Sequence, residues 1–173
     1  AHDDLWRDMY AHLVQRLEAE GLERYEVSNF ARAGHRSRHN EGYWGDRPYL
    51  GVGPSAHGYA PDGRRWVDRP DTEAWLAATA PVRTWEEPDA LARATDRLVS
   101  GLRAREGLSL ATLATSTGLR PSASAVALLV RSGLLAERGH HVALTPEGFF
   151  VADGVVERLV HALAPVDPEG QSG

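Results

Sequence analysis

Gly133-Leu-Leu-Ala-Glu-Arg-Gly-His-His-Val-Ala-Leu-Thr-Pro-Glu-Gly148 is the stretch on which the fold turns. Leu134-Leu135-Ala136 and the run from His141 to Leu144 are two short strand-like segments joined across Arg138-Gly139-His140, the pattern of a hairpin. Thr145-Pro146 then opens a helix through Val151, Val155, Leu159 and Val160. Upstream, a helix over 121–131 stops at Gly133. Before it, Ser109 caps a shorter helix carrying Leu110 and Leu113, which Gly118 ends. Pro88-Asp89 opens a third with Leu91, Ala94, Leu98, Val99 and Leu102 along one face. Three helices, a hairpin and a helix are the layout of a winged-helix-like domain, expected over 88–164. The Pro-, Gly- and Ser-rich stretch 165–173 is expected to be a disordered tail.

Residues 1–87 read differently. Leu5, Trp6, Met9, Leu13, Val14 and Leu17 are spaced for a helix, with Asp3 and Asp4 at its positive end and Gly21 as its stop. Tyr25-Glu26-Val27-Ser28 follows as a strand, so the pair has the form of the last βα elements of a barrel or sheet. Residues 29–47 show neither period and read as a loop. Short strands are expected over 49–53, 57–59 and 65–67, and a helix over 72–80 capped by Asp71. Pro81 and Pro88 bracket a linker, which puts a domain boundary near Glu87. The fold class is therefore α/β plus α+β.

Composition narrows the function. The chain has 173 residues, 42% hydrophobic, with a net charge of −5 and no lysine, so every basic side chain is an arginine. An acidic balance disfavours a surface built mainly for nucleic acid. There is no cysteine, hence no disulfide, thiolate metal site or cysteine-ligated cluster in this chain. No apolar run reaches the roughly 20 residues of a membrane-spanning helix, and the expected location is the cytoplasm. The chain opens on Ala1 and holds its one methionine, Met9, inside a helical pattern, so it is expected to be a fragment of a longer protein.

The chemistry-bearing residues gather in 25–58. His39-Asn40 precedes Tyr43-Trp44, an imidazole followed by two flat apolar rings, as an axial ligand to a macrocycle requires. A hydrogen-bonded structural histidine is the competing reading. Glu26, Ser28 and Asn29 stand where a barrel strand would meet a ligand, or else form a network that pins the next loop. Gly51 and Gly53 let backbone approach a ligand closely, or simply make a turn. Asp46, Arg64, Arg65, Trp66 and Trp75 carry no more than a solvated-face or core reading, and Trp6 and Trp85 are packing residues.

Three linked segments, Tyr25-Glu-Val-Ser-Asn-Phe-Ala31, His39-Asn-x-x-Tyr-Trp44 and Tyr49-Leu-Gly-x-Gly-Pro-Ser-Ala-His57, resemble the oxygen-independent coproporphyrinogen III oxidase-like radical SAM family. Leu144-Thr-Pro-Glu-Gly148 fits that family's C-terminal domain. The His-Asn-x-x-Tyr-Trp segment points to its heme-chaperone branch. The resemblance implies that His39 ligates heme iron, with Asn40, Tyr43 and Trp44 around it, and that heme passes to an acceptor hemoprotein. It also implies a [4Fe–4S] cluster and S-adenosylmethionine in a full-length member. The cluster cysteines are absent here, so no catalysis is assigned to this chain alone and no catalytic residue is named. The N-terminal barrel half becomes an expected partner.

Two alternatives follow. One is a fragment of a true oxidase that decarboxylates coproporphyrinogen III in porphyrin biosynthesis. The other is a winged-helix nucleic-acid or protein-interaction module. The helix over 121–131 has one arginine and no Asn or Gln to read base edges, which favours protein packing over DNA.

Overall fold

The computed structural model describes residues 2–45, 47–80 and 82–166. The side chain of Asp3, and with it the expected cap, lies outside the described residues, as do Asp46, Pro81 and the tail from 167.

Helix α1 (His2–Ala19) ends at Gly21, whose φ of +76° suits glycine. Strands β1 (Glu23–Arg24) and β2 (Phe30–Ala31) pair antiparallel. Tyr25–Ser28 is therefore not a strand but the turn between two short ones. The cause is local. The Tyr25 N–H donates to the Asn29 carbonyl at 3.2 Å, and the Glu26 carboxylate accepts from the Ser28 N–H, so the chain reverses.

Residues 29–47 are not loop throughout, because α2 (Arg38–Trp44) lies within them. Strands β3 (His57–Tyr59) and β4 (Arg65–Asp68) precede α3 (Thr72–Ala77), which Asp71 caps as expected. The expected strand over 49–53 reduces to a bridge between Tyr49 and Tyr59. Residues between Pro81 and Pro88 form β5 (Arg83–Glu86) rather than a linker, completing a β3-β4-β5 antiparallel sheet. Burial drives this pairing. Trp66 packs against Trp85 at 53° with ring centroids 5.3 Å apart, and the carboxylate of Asp68, 1% exposed, accepts from Arg83 Nε at 2.9 Å.

Helix α4 (Ala90–Arg103) is capped by Asp89 at 2.7 Å. After it come β6 (Leu108–Ser109), α5 (Leu110–Thr117) and β7 (Leu119–Pro121), then α6 (Ala123–Arg131), β8 (Leu135–Arg138) and β9 (His141–Leu144). Helix α6 starts two residues later than expected because Pro121 is held in β7 and Ser122 provides the cap. The expected last helix is broken at Val151 into α7 (Pro146–Phe150) and α8 (Ala152–His161). Strand β10 (Leu163–Pro165) returns to pair with β7. Pro165, expected in the tail, is thereby an ordered strand end. A second three-stranded sheet has the order β6-β9-β8.

The core belongs to this C-terminal part. Leu98 and Leu102 of α4, Leu113 of α5, Leu129 of α6, Leu135 of β8 and Leu159 of α8 are all at most 2% exposed and pack in one cluster. Each contributes about 1.5–3 kcal/mol on burial. The N-terminal part instead presents Leu5, Met9 and Leu13 of α1 to solvent. Its α1 meets the C-terminal part through Phe150, whose ring is edge-on to Trp6 (5.8 Å) and Tyr10 (5.6 Å).

Candidate functional site

Helix α2 carries the residues the sequence singles out. Ser37 caps it, accepting from the Asn40 N–H at 3.3 Å, and the Ser37 N–H donates to the Tyr25 hydroxyl at 3.4 Å. Residues four apart share a flank of a helix, so His39 goes with Tyr43 and Asn40 with Trp44.

On the first flank the His39 and Tyr43 rings meet edge-to-face, 4.9 Å between centroids at 78°. Tyr43 then packs on Tyr49 at 4.4 Å, and Tyr49 on Tyr59 at 6.4 Å. Tyr49 and Tyr59 exchange both backbone N–H···O bonds at 3.0 Å, which ties the row to β3. His39 and Tyr43 are exposed, and no described side chain hydrogen-bonds the imidazole. Burial raises the Tyr49 hydroxyl above the usual phenol range; the neighbouring Tyr43 adds to this and Arg65 opposes it. Tyr49 thus stays uncharged near neutral pH.

The second flank does different work. Trp44, expected beside His39, instead turns toward α4 beneath the Arg103 guanidinium, 5.6 Å from its ring. Its indole N–H is buried without an acceptor among the described residues. Asn40 is half-buried. Arg36, just before α2, donates to Glu106 Oε1 at 2.6 Å and lies 3.7 Å from Glu41. The hydrogen bond to Glu106 raises the Arg36 pKa despite burial. Glu106 is conversely held below the ordinary carboxylate range: burial pushes it up, but the hydrogen bond from Arg36, a backbone hydrogen bond and the charges of Arg36 and Arg105 together outweigh that. A cleft of about 380 Å³ separates α2 from the 104–107 segment.

The other expected site residues lie elsewhere. Glu26 is 2% exposed, and its Oε1 accepts from both the Ser28 N–H and the Asn29 side-chain amide. Ser28 and Asn29 themselves are exposed, so the three form a closed turn. Gly51 permits a close crossing: a Cβ there would lie 2.0 Å from the His57 carbonyl oxygen. Gly53 takes a φ of +118° in the turn before Pro54. Sequence reasoning missed Tyr25, Tyr49 and Tyr59. The Tyr49–Tyr59 contact joins the end of β3 to an isolated bridge residue and leaves no short-range spacing to read, whereas the 39/43 interval was available.

As for metal, no group of three or more His, Cys, Asp or Glu among the described residues is placed to hold an ion. A chain without cysteine has no thiolates for an iron–sulfur cluster. A heme iron needs only one protein nitrogen on a face, so His39 fits that requirement.

Residues 89–151 match the HemN C-terminal domain. The chain is 40% identical over 161 residues to the heme chaperone HemW of Mycobacterium tuberculosis, covering 91% of this chain and 40% of that protein. It is 32% identical over 157 residues to HemW of Bacillus subtilis, covering 86% and 41%. The solved structure of coproporphyrinogen III oxidase (HemN) from Escherichia coli, a radical SAM enzyme, superposes over 88% of this chain and 40% of that one with a TM-score of 0.62. At 14% identity that likeness shows the fold alone. The chain is similar to the C-terminal portion of these heme-chaperone and HemN proteins, and it spans about 40% of the length of the relatives it matches.

Proposed function

We propose that this chain is the heme-holding C-terminal portion of a radical SAM heme chaperone that delivers heme to a hemoprotein in the cytoplasm. The observation that carries the reading is the exposed His39 imidazole edge-on to Tyr43, with no described hydrogen-bond partner to compete for its nitrogens. A neutral imidazole nitrogen ligates the iron of the heme cargo. Tyr43 holds the imidazole plane, and the row through Tyr49 offers apolar area to the macrocycle. Exposure suits a cargo that must leave again: a ligand on an open helix flank is released more readily than one in a closed pocket.

Residues 88–164 act in this reading as a winged-helix-like domain whose role is packing rather than nucleic-acid binding, with the boundary near Glu87. The preceding barrel half of a full-length protein covers the exposed flank of Leu5, Met9 and Leu13 on α1 and supplies the cluster and S-adenosylmethionine. The test is transfer. Chain loaded with heme and mixed with an apo-hemoprotein should pass heme on, seen as the acceptor's spectrum. Heme that stays bound, or leaves no faster than it dissociates without an acceptor, would count against delivery.

A further inference from the structure

We infer that Arg38 is a propionate-binding residue: its guanidinium pairs with a carboxylate on the rim of the heme cargo and sets the way the macrocycle lies on α2. The inference rests on the reading of His39 as the ligand of the heme iron and supplies a second point of contact. Ligation by one imidazole fixes the iron but leaves the ring free to turn about that bond. A charged pair at the rim removes that freedom. Heme carries its propionates along one edge, so their partner must be a cation within reach of His39.

The charges around α2 leave one candidate. The chain has no lysine, so its permanently cationic side chains are all arginines. Arg36 donates to Glu106 at 2.6 Å, Arg65 is paired with Asp96, and Arg103 lies over Trp44. Arg47 lines the cleft on the Trp44 side. Arg38 is exposed, and no described residue bonds or pairs with it. The one carboxylate of α2, Glu41, lies 3.7 Å from Arg36 instead. A cation in the first turn also opposes the helix dipole, so the charge of Arg38 does nothing for the stability of α2.

Position does the rest. Successive side chains point about 100° apart around a helix, so Arg38 stands on the flank next to that of His39 and Tyr43. Gly42, four residues after Arg38, shares its flank. A Cβ built on Gly42 would meet nothing within 4 Å. The surface between His39 and Arg38 is therefore an open ledge. A ring held at its centre by His39 extends over Gly42 toward the guanidinium. That planar group offers a carboxylate paired N–H donors, a geometry an ammonium group lacks.

Absorbance titration of the 173-residue chain with hemin and with its dimethyl ester, whose propionates carry no charge, tests this at low ionic strength. The parent should bind hemin more tightly than the ester. Arg38→Gln should weaken hemin about threefold and Arg38→Glu about tenfold. Both variants should bind the ester as the parent does and keep the parent's Soret position. Arg38→Glu places a carboxylate in the first turn, which favours the helix, so its loss of affinity is not a loss of α2. Arg131→Gln, exposed on α6, should behave as the parent. Equal weakening of hemin and ester, or equal affinity of the parent and Arg38→Glu for hemin, would overturn the proposal. So would a parent that binds the ester as tightly as hemin. A Soret shift kept in full by His39→Ala would instead remove the reading on which the proposal rests, and the proposal with it. The ester comparison reports on Arg38 and the Soret position on His39, so the two failures are told apart.

Discussion

His39 and Trp44, five positions apart in one motif, face different flanks of the same seven-residue helix: His39 lies against Tyr43 at 4.9 Å, and Trp44 lies under Arg103 at 5.6 Å. One flank is open to a ligand and the other fastens α2 to α4. The motif therefore carries two separable jobs, and substitutions should separate them.

Trp44→Phe keeps the apolar ring and removes a buried N–H that has no acceptor. Loss of packing volume and loss of an unsatisfied donor oppose each other, so stability should change by no more than about 1 kcal/mol. Heme absorbance should be unaffected. Urea unfolding together with a heme titration measures both, and a lost heme spectrum would show that Trp44 belongs to the ligand flank.

Gly51→Ala should be severe. The added Cβ would meet the His57 carbonyl oxygen, a backbone atom that cannot swing aside, and the Tyr49–Tyr59 pairing that aligns the tyrosine row would open. A loss of about 2 kcal/mol or more is expected in denaturant unfolding. A melting temperature equal to that of the parent chain would contradict the close crossing.

Arg83→Ala removes the partner of a carboxylate that is 1% exposed. Leaving Asp68 buried and unpaired should cost about 3 kcal/mol. The double change with Asp68→Asn should recover part of that. Urea midpoints for the two single variants and the double one test the coupling, and strict additivity would show that the pair is not one unit.

Acid should loosen α2 before it unfolds the core. Glu106 has a depressed folded-state pKa, so the stability it lends through Arg36 is present above its unfolded value and is lost as pH falls through the lower folded value. The pair is more than half exposed on the Glu106 side, so the effect is a few tenths of a kcal/mol. Amide exchange of 36–45 should rise below the ordinary glutamate range while 98–102 stays protected. Glu106→Gln should abolish that pH dependence.

The C-terminal half was legible because its signals are local and strong. Asp89, Ser109 and Thr145 cap the helices where the sequence placed them, and Gly118 takes the left-handed conformation that ends α5. Leu98, Leu102, Leu110, Leu113 and Leu159, read from the helical period, are buried in the core, whereas Leu91 is exposed. Helix α2 was hidden because it buries no residue and so has no apolar stripe; the Ser37 cap was its one signal. Strand β5 was hidden by the prolines beside it, although Thr84 and Trp85 pair with Val67 and Trp66. The break at Val151 leaves no Gly or Pro at the break itself. Of the candidate site, His39 and Tyr43 were readable from their spacing. Tyr49 reaches them only through the β3 pairing, and the turn at Glu26 depends on a carboxylate folding back on its own chain.

Ligation of heme iron by His39 is tested by absorbance titration of heme into the chain beside its His39→Ala variant. A saturating Soret shift is expected in the parent chain and lost in the variant, whose fold is unchanged by circular dichroism. A shift of equal size and affinity in both proteins would contradict it and place the ligand elsewhere.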